Sequence, residues 1–408
     1  MVCRSQQFLT EESILCAQRS SGRISSYRWV VLFASFLGFV AFAFSFQRVP
    51  PLLSSLQSEF GVDDAEAGLL MSMVMIPGIV LALPAGLAIN RYGFRTLGFA
   101  SIISVAVGNL VTAFANSFIT ALIGRIILGV GGAFIVVGTP VFVPQWFEHK
   151  DLGKAMGIYG TNMPVSIILA FPTAAALTQV FGWRFPFYAA ALLSFTCALF
   201  FVATAREGPL KGDPEAVRSE EAKHAVKNIE VWKVSITWML FNTATIGFLT
   251  WAPRLFHEFK SLDTVYSSLL ATVVMYSAVF FAPFFGWLSD KLDRRKPFIL
   301  IGPLAMASAL FLTAYATGLP LVFCVLSLGI SAATVPPLVM AIIAQNLPPR
   351  LSSTGFGIIT LCQNIGIALS GPIGGFLLQT TQSLPLTFGG IALFACASAV
   401  TALTVNTK

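Results

Sequence analysis

The chain has 408 residues, of which 56% are hydrophobic and only 11% are charged. A soluble domain carries about 25% charged residues, so this composition excludes a water-soluble fold and predicts a protein that is embedded in a bilayer. The net charge of +7 raises the question of a nucleic-acid partner, which the placement of the charges answers below. The three histidines and six cysteines are scattered without metal-ligand spacing, so we expect no metal site and no cofactor.

Twelve apolar runs follow a polar, serine-rich segment at residues 1–27. Each is long enough to cross about 30 Å of hydrocarbon, which takes about 20 helical residues. Helices are the expected spanning element, because lipid cannot satisfy bare backbone amides. Predicted helices 1 to 12 cover approximately residues 28–48, 66–89, 96–116, 118–143, 155–180, 184–205, 234–256, 264–289, 297–316, 319–343, 354–379 and 384–405.

These runs divide the chain into two bundles of six helices. The expected domains are a cytoplasmic segment at 1–27, an N-terminal bundle at 28–205, a charged cytoplasmic linker at 206–233, a C-terminal bundle at 234–405 and a cytoplasmic tail at 406–408.

Lysines and arginines are distributed unevenly between the two sides of these helices. With the N-terminus in the cytoplasm, 20 of the 25 fall in inner segments and three in outer segments. The positive-inside rule therefore predicts a multi-pass protein of the inner (plasma) membrane with both termini in the cytoplasm. Bases that flank a membrane form no continuous groove, so we expect no nucleic-acid partner. The expected partners are lipid and a small-molecule anion, and the expected state is a monomer.

One loop chemistry occurs twice, at residues 86–95 and 286–296. Each copy opens with a glycine, Gly86 or Gly286, and reaches Asn90 or Asp290 after three residues. Basic residues follow in both copies, among them Arg91, Arg95, Arg294 and Arg295. A loop that recurs after half the chain length predicts two similar halves.

The paired loops resemble the signature loops of the major facilitator superfamily, which lie between helices 2 and 3 and between helices 8 and 9. The segment that begins Gly124-Arg125 resembles that superfamily's helix-4 motif, and Trp183-Arg184 and Trp251 are similar to further family positions. The resemblance covers residues 28–405. It implies an all-α membrane protein with twelve transmembrane helices in two pseudo-symmetric six-helix bundles, around a central cavity that opens alternately to the two sides.

By the same resemblance the paired loops form a gate at the cytoplasmic end. Asp290 is expected to meet the positive N-terminal end of helix 5, near residues 153–156. Asn90 replaces the acid that is usual in the first loop, and a neutral acceptor bonds more weakly than a charged one. We therefore predict a weaker latch on that side. The alternative is that the loop charges only orient the chain in the membrane.

Two arginines, Arg48 and Arg125, lie within or at the edge of predicted helices, whereas all 18 acids fall in loops or at helix ends. A buried cation needs a partner or a function. A snorkelling Arg48 and an Arg125 bonded to backbone carbonyls are the structural alternatives. The pair resembles the anion:cation symporter branch, whose helix-1 and helix-4 arginines meet the carboxylate of the substrate. Gln47 and Gly132 stand where that branch has acids, and the spacing from Gln47 to Leu53 also resembles the cyanate-permease-like branch.

The sequence therefore predicts a carrier of a small anion, preferably an organic carboxylate, that works by exchange or facilitated diffusion. A guanidinium suits a carboxylate because its planar fork donates two parallel hydrogen bonds. The expected substrate-binding residues are Arg48, Arg125, Gln47, Asn242, Trp251 and Thr334.

Other functions fit less well. A proton-driven exporter of apolar or cationic drugs is the alternative, since 37 phenylalanines provide apolar walls, but no acid lies in the interior of a predicted helix to relay a proton. A nitrate/nitrite carrier is disfavoured, because such carriers place arginines in helices 2 and 8, where this chain has none. An enzyme is not expected, because no Asp, Glu or His lies within a predicted helix to activate a nucleophile.

Overall fold

The computed structural model describes residues 27–147, 149–206, 208, 226–347 and 352–406. In these ranges the regular structure is entirely helical, as predicted. Eleven of the described helices are long and apolar enough to cross a membrane. A further helix, Ile229–Lys260, has comparable length but carries more polar residues. The predicted N-terminal segment, most of the predicted linker and the end of the tail lie outside the described residues.

The first half contains helices α1 to α6. Helix α1 covers residues 27–46 and is followed by a 3-10 turn at Pro50–Leu52 and a short helix at Leu53–Phe60. The next five are α2 at Asp64–Tyr92, α3 at Phe94–Ala113, α4 at Phe118–Phe142, α5 in two segments at His149–Gly160 and Asn162–Phe181, and α6 at Arg184–Thr204.

The second half contains helices α7 to α12. They are α7 at Ile229–Lys260, α8 at Thr264–Leu292, α9 at Lys296–Tyr315, α10 in two segments at Gly318–Ala332 and Val335–Asn346, α11 at Ser352–Thr381, and α12 at Leu384–Leu403. Helix α7 begins five residues before its predicted start, inside the predicted linker.

The two halves repeat each other at a spacing of 200 residues. Asp63 caps α2 with its side chain, and Asp263 caps α8 in the same way. Residues with positive φ recur at the same spacing, in the pairs Gly61 and Ser261, Gly93 and Asp293, and Gly182 and Gln382. Turns at equivalent positions support the predicted pseudo-symmetry, although their conformations differ: ψ is 147° at Gly93 and 36° at Asp293.

Helix packing follows the same repeat. A Cβ added to Gly129 of α4 would lie 2.3 Å from the backbone oxygen of Val74 in α2. A Cβ added to Gly329 of α10 would lie 2.8 Å from the Cα of Val274 in α8. Glycine lets helix backbones approach closely where lipid provides no hydrophobic drive for helix association. Since α4 crosses α2 as α10 crosses α8, each half serves as an internal comparison for the other.

Helix α1 departs from this repeat. It ends at residue 46, and Pro50 and Pro51 begin the 3-10 turn that follows. The residues at the same positions of α7 are Thr250 and Trp251, and α7 continues to Lys260. Proline has no N–H and cannot continue the hydrogen-bond ladder of a helix. The interruption after α1, at residues 47–49, is called the α1 break below.

The paired turns at Gly182 and Gln382 allow a test of the repeat. The φ angle is 81° at Gly182 and 48° at Gln382. A side chain in the left-handed region costs about 1–2 kcal/mol, part of which the freedom of glycine in the unfolded chain offsets. We expect Gln382→Gly to raise the Tm in detergent by about 2 °C and Gly182→Gln to lower it. Gly182 also has a ψ of 168°, a combination that only glycine adopts readily, so its replacement is expected to cost more. Opposite shifts would contradict the strain assigned to these two positions.

Candidate functional site

The two halves are joined at one end of the bundle. This end holds the turns at 61–63 and 261–263, and we call it the outer end after the predicted orientation. Five side-chain hydrogen bonds join the described parts of the halves, all in the outer part: Ser54 to Glu258, Arg254 to Asp64, Ser72 to the Ala368 carbonyl, Gln179 to Asp263, and Gln379 to Asp63.

An ion pair stands at the centre of this closure. Arg254 Nη1 of α7 lies 2.5 Å from Asp64 Oδ1 of α2, and each side chain is 14% exposed. Arg254 Nε also bonds Glu258 at 2.7 Å, and Gln57 donates to Asp64 at 2.6 Å. Arg254 is one of the three bases that the sequence places in outer segments. The sequence does show an acid, Asp64, and a base, Arg254, at the outer ends of different predicted helices. Whether the two side chains pair depends on which end of the cavity is closed.

Helices α2 and α11 touch through their backbones at the same end. A Cβ added to Gly68 would lie 2.5 Å from the carbonyl oxygen of Gly371, and one added to Gly371 would lie 2.4 Å from that of Gly68. Real Cβ atoms do not approach so closely, so a larger residue at either position would force the two helices apart. The outer end is therefore closed.

At the opposite, inner end the loop residues Arg95 and Asp290 bond within their own halves. A Cβ added to Gly153, Gly157 or Gly160 of α5 would meet no heavy atom within 4 Å, and the same holds for Gly357 of α11. Because the side-chain hydrogen bonds between the described halves all lie at the outer end, we infer a cavity that opens to the predicted cytoplasmic side, as alternating access requires.

The predicted gate residues of the second loop lie at this open end. Asp290 accepts a hydrogen bond from Arg295 Nη2 at 3.2 Å, and its side chain is 68% exposed. Arg294 is exposed. Gly286 lies against α10, where an added Cβ would be 3.6 Å from Pro337. Asp290 thus pairs within its own loop in this open state, and the latch to α5 stays a prediction.

The first loop has a similar position. Gly86 lies against α4, and Arg91 is exposed. Arg95 donates to the Val202 carbonyl of α6 at 3.2 Å, which is a contact inside the first half. Asn90 lies within α2, but its side chain is outside the described residues. The predicted weaker latch at this loop stays a prediction.

Arg125 is fully buried between three helices of the first half. Its Nε donates to the Leu70 carbonyl of α2 at 2.9 Å. Its Nη1 donates to the Ser45 carbonyl at 3.0 Å, and its Nη2 donates to the Phe46 carbonyl at 2.8 Å. Among the described residues no carboxylate lies within salt-bridge distance of it. The structure therefore has the carbonyl-bonded geometry that was one of the two alternatives for this residue.

Arg48 and Gln47 lie in the α1 break, and both are buried. Arg48 Nη1 donates to the Pro186 carbonyl of α6, and its guanidinium carbon lies 3.9 Å from the ring centroid of Phe44. Within the described chain, Arg48 Nε and both amide atoms of Gln47 have no hydrogen-bond partner. Since only 1% of Arg48 is exposed, protein encloses the guanidinium and the snorkelling alternative does not fit.

The other predicted substrate residues are not brought together with these arginines. Asn242 donates to a carbonyl of its own helix at 2.8 Å. Trp251 donates to the Gly371 carbonyl at 3.1 Å and so belongs to the outer closure. Thr334 bonds within α10 and lies against Gly302 of α9. Their roles at the substrate stay predictions.

The α1 break is therefore the candidate site. It holds two buried guanidinium groups, while the described acids lie at helix ends or in turns. The 3-10 turn that follows it packs against α5 and, across the boundary between the halves, against α7. In the described chain no group of three Cys, His, Asp or Glu side chains could hold a metal ion. The guanidinium groups bond residues of the first half, so the break places positive charge inside that half, next to a turn that contacts both halves.

Comparison with known proteins places the chain among transporters. The sequence profile described as Major Facilitator Superfamily matches residues 29–274 and 261–408. The probable nitrate transporter NarT of Staphylococcus epidermidis is 23% identical over 374 residues, which cover 91% of this chain and 95% of that protein. The lysosomal dipeptide transporter MFSD1 of Homo sapiens is 23% identical over 406 residues, which cover 92% and 84% of the two chains.

Solved structures share the fold. A bacterial homolog of the human lysosomal transporter Spinster, in an inward-facing and unoccupied conformation, has a TM-score of 0.74 at 18% identity and covers 93% of this chain and 95% of its own. The xylose transporter XylE from E. coli, in an inward open conformation, has a TM-score of 0.74 at 16% identity, with 93% and 96% covered.

The outer closure can be tested by labelling. Ser72 faces α11 across the closure, so a Ser72→Cys variant reports whether this end opens. We expect Asp64→Asn or Arg254→Gln to speed its labelling by an impermeant maleimide, because either change removes the ion pair between the halves. Arg184→Gln is the control, since it breaks a pair with Glu59 inside one half. Equal labelling rates in all variants would contradict a closing role for Arg254 and Asp64.

Proposed function

This chain belongs to the Major Facilitator Superfamily, and on that premise we propose that it carries a small anion across the membrane by alternating access. Family and fold make it a multi-pass membrane transporter rather than an enzyme. The anion, the plasma-membrane location with both termini in the cytoplasm, and the monomeric state are parts of the proposal.

The observation that carries the proposal is the charge buried at the α1 break. Arg48 and Arg125 are at most 1% exposed, and neither has a carboxylate partner in the described chain. Removing an ion from water costs several kcal/mol after relaxation. Backbone carbonyls offset part of that cost by hydrogen bonding, but they add no net negative charge. An anion that enters the adjacent cavity supplies it.

The same charge argues against the alternative function. At an effective dielectric constant of 20, two unit charges 4 Å apart interact by about 4 kcal/mol, against about 1 kcal/mol in water. That energy attracts an anion and repels a cationic drug by the same amount. The acids of the described chain lie at helix ends or in turns, which leaves proton coupling through a membrane carboxylate without support.

The names of the relatives narrow the chemistry of the anion. NarT is a probable nitrate transporter, and MFSD1 is a dipeptide transporter. Nitrate and the carboxylate of a peptide are both planar, delocalised oxyanions, and a guanidinium matches that geometry with two parallel donors. The sequence favours an organic carboxylate over nitrate because predicted helices 2 and 8, at residues 66–89 and 264–289, lack arginine. The nitrate relatives return nitrate and nitrite to the proposal, and we propose a planar oxyanion as the substrate, moved by exchange or facilitated diffusion.

Arg48→Gln tests the proposal. We expect wild-type protein in liposomes to take up labelled nitrate, nitrite or lactate in a saturable way, and the same anion to raise its Tm. Loss of a charged hydrogen-bond donor is expected to weaken the apparent affinity about tenfold or more. Lys260→Gln is the matched control, because Lys260 also bonds only backbone carbonyls, those of Ala314 and Ala316, but lies at the outer end.

Two results would count against this function. Uptake of a lipophilic cation such as tetraphenylphosphonium, without uptake of any of these anions, would favour the drug exporter. An unchanged anion affinity in Arg48→Gln would remove the α1 break as the site of anion attraction.

A further inference from the structure

We propose that Arg125 is a positioning residue, which caps the broken end of α1 and thereby presents Gln47 and Arg48 to the anion. The ligand in this proposal rests on the proposed function, whereas the cap itself rests only on the backbone geometry of α1, α2 and α4.

The need for a cap follows from the sequence after α1. In an α-helix the carbonyl of each residue accepts the N–H of the fourth residue beyond it. The partner of the Phe46 carbonyl would be Pro50, which has no N–H. A buried carbonyl without a donor is costly, and within the membrane water is not available as a substitute. Arg125 Nη2 donates to the Phe46 carbonyl, and Nη1 donates to that of Ser45.

The charge of Arg125 suits this position as well as its donors do. The C-terminal end of a helix carries a partial negative charge, and a cation there is favourable by about 0.3–1 kcal/mol at the surface and more when partly buried. The third donor, Nε, bonds Leu70 of α2. Gly68 and Ser72 of the same helix meet α11 at the outer closure. One guanidinium therefore joins the end of α1 to the helix that closes the outer end.

The second half provides an internal control for this assignment. The residue 200 positions after Arg125 is Val325, which is buried in α10 one turn before Gly329. There α7 has Thr250 in place of Pro50 and is not interrupted. The arginine thus occurs in the half where the Phe46 carbonyl has lost its helical donor. It is replaced by an apolar residue in the half where the equivalent carbonyl, that of Ile246, has an N–H available from Thr250, although α7 continues past a proline of its own at Pro253. A group present only to attract substrate would have no reason to follow the proline.

The cap determines where Gln47 and Arg48 lie, because both follow directly on the carbonyls that Arg125 holds. Within the described chain, Gln47 Nε2, Gln47 Oε1 and Arg48 Nε have no hydrogen-bond partner although they are buried. An unpaired buried polar group costs about 1–3 kcal/mol, so a ligand or water is needed here. The two donors, Gln47 Nε2 and Arg48 Nε, suit the oxygens of a planar oxyanion.

The test uses the residues of the second half as replacements. Wild type, Pro50→Thr, Arg125→Val and the double variant are compared by thermal unfolding in detergent. We expect Pro50→Thr to fold and Arg125→Val to lose Tm or to yield no folded protein. We expect the double variant to recover most of that loss, because residue 50 then donates its N–H to Phe46. A double variant no more stable than Arg125→Val, or a Pro50→Thr variant that does not fold, would overturn the cap.

A measurement of anion affinity distinguishes an Arg125 that positions the site from an Arg125 that contacts the anion directly. Tm shifts are measured with nitrate and with lactate. Pro50→Thr retains Arg125 and Pro51 but gives the Phe46 carbonyl a backbone donor, which draws Gln47 and Arg48 toward helical geometry. We therefore expect its affinity and that of the double variant to fall about tenfold or more. Wild-type affinity in Pro50→Thr would overturn the positioning role. If no anion raises the Tm of the wild-type protein, the proposed function is contradicted. The cap is still tested in that case, because it predicts that Pro50→Thr offsets the loss of Tm caused by Arg125→Val.

Discussion

The outer part of the first half depends on one guanidinium that replaces missing backbone donors. Pro50 cannot donate to the Phe46 carbonyl, and the bilayer offers no water to do so. Arg125 reaches the two carbonyls of α1 and the carbonyl of Leu70 in α2 at the same time. The donors of a guanidinium are fixed in a planar fork, whereas those of a lysine spread from a single point. This geometry explains why an arginine is retained where a buried cation is otherwise expensive.

The outer closure combines two kinds of contact with different energetic consequences. The approach of Gly68 and Gly371 depends on shape, and any side chain at either position would prevent it. The polar contacts, of which Arg254 with Asp64 is the most enclosed, are mostly made to carboxylates. Such bonds contribute about 1.5–3 kcal/mol each when enclosed and about 0–1 kcal/mol when exposed. Differential binding of a ligand can supply energies of this order, so the polar part of the closure can be opened by ligand binding, while the packed helices must be separated in addition.

The sequence predicted the fold well because hydrocarbon imposes a length and a composition on every spanning helix. The start of α8 at Thr264 and that of α6 at Arg184 were predicted to the residue.

The arrangement around Arg125 could not be predicted, because its partners are backbone carbonyls, which every residue has and no sequence pattern marks. The end of α1 was placed at Arg48 although Pro50 carries the signal for an earlier end. The pairing of Arg254 with Asp64 belongs to one conformation, and a sequence does not specify which conformation is populated.

The difference between the halves bears on how a bound anion affects the cycle. The positions equivalent to Arg48 and Arg125 in the second half are Phe248 and Val325, both buried and apolar. A site at the α1 break therefore takes its charged contacts from the first half, and α7 provides an apolar surface across the boundary. Such a ligand does not bridge the halves by ionic bonds. The anion can still stabilise one conformation of the transporter over the other. When α7 covers the break, the local dielectric constant falls, and the ionic contacts that the anion makes with the first half become stronger. Any preference of the anion for one state then depends on exclusion of water from the break.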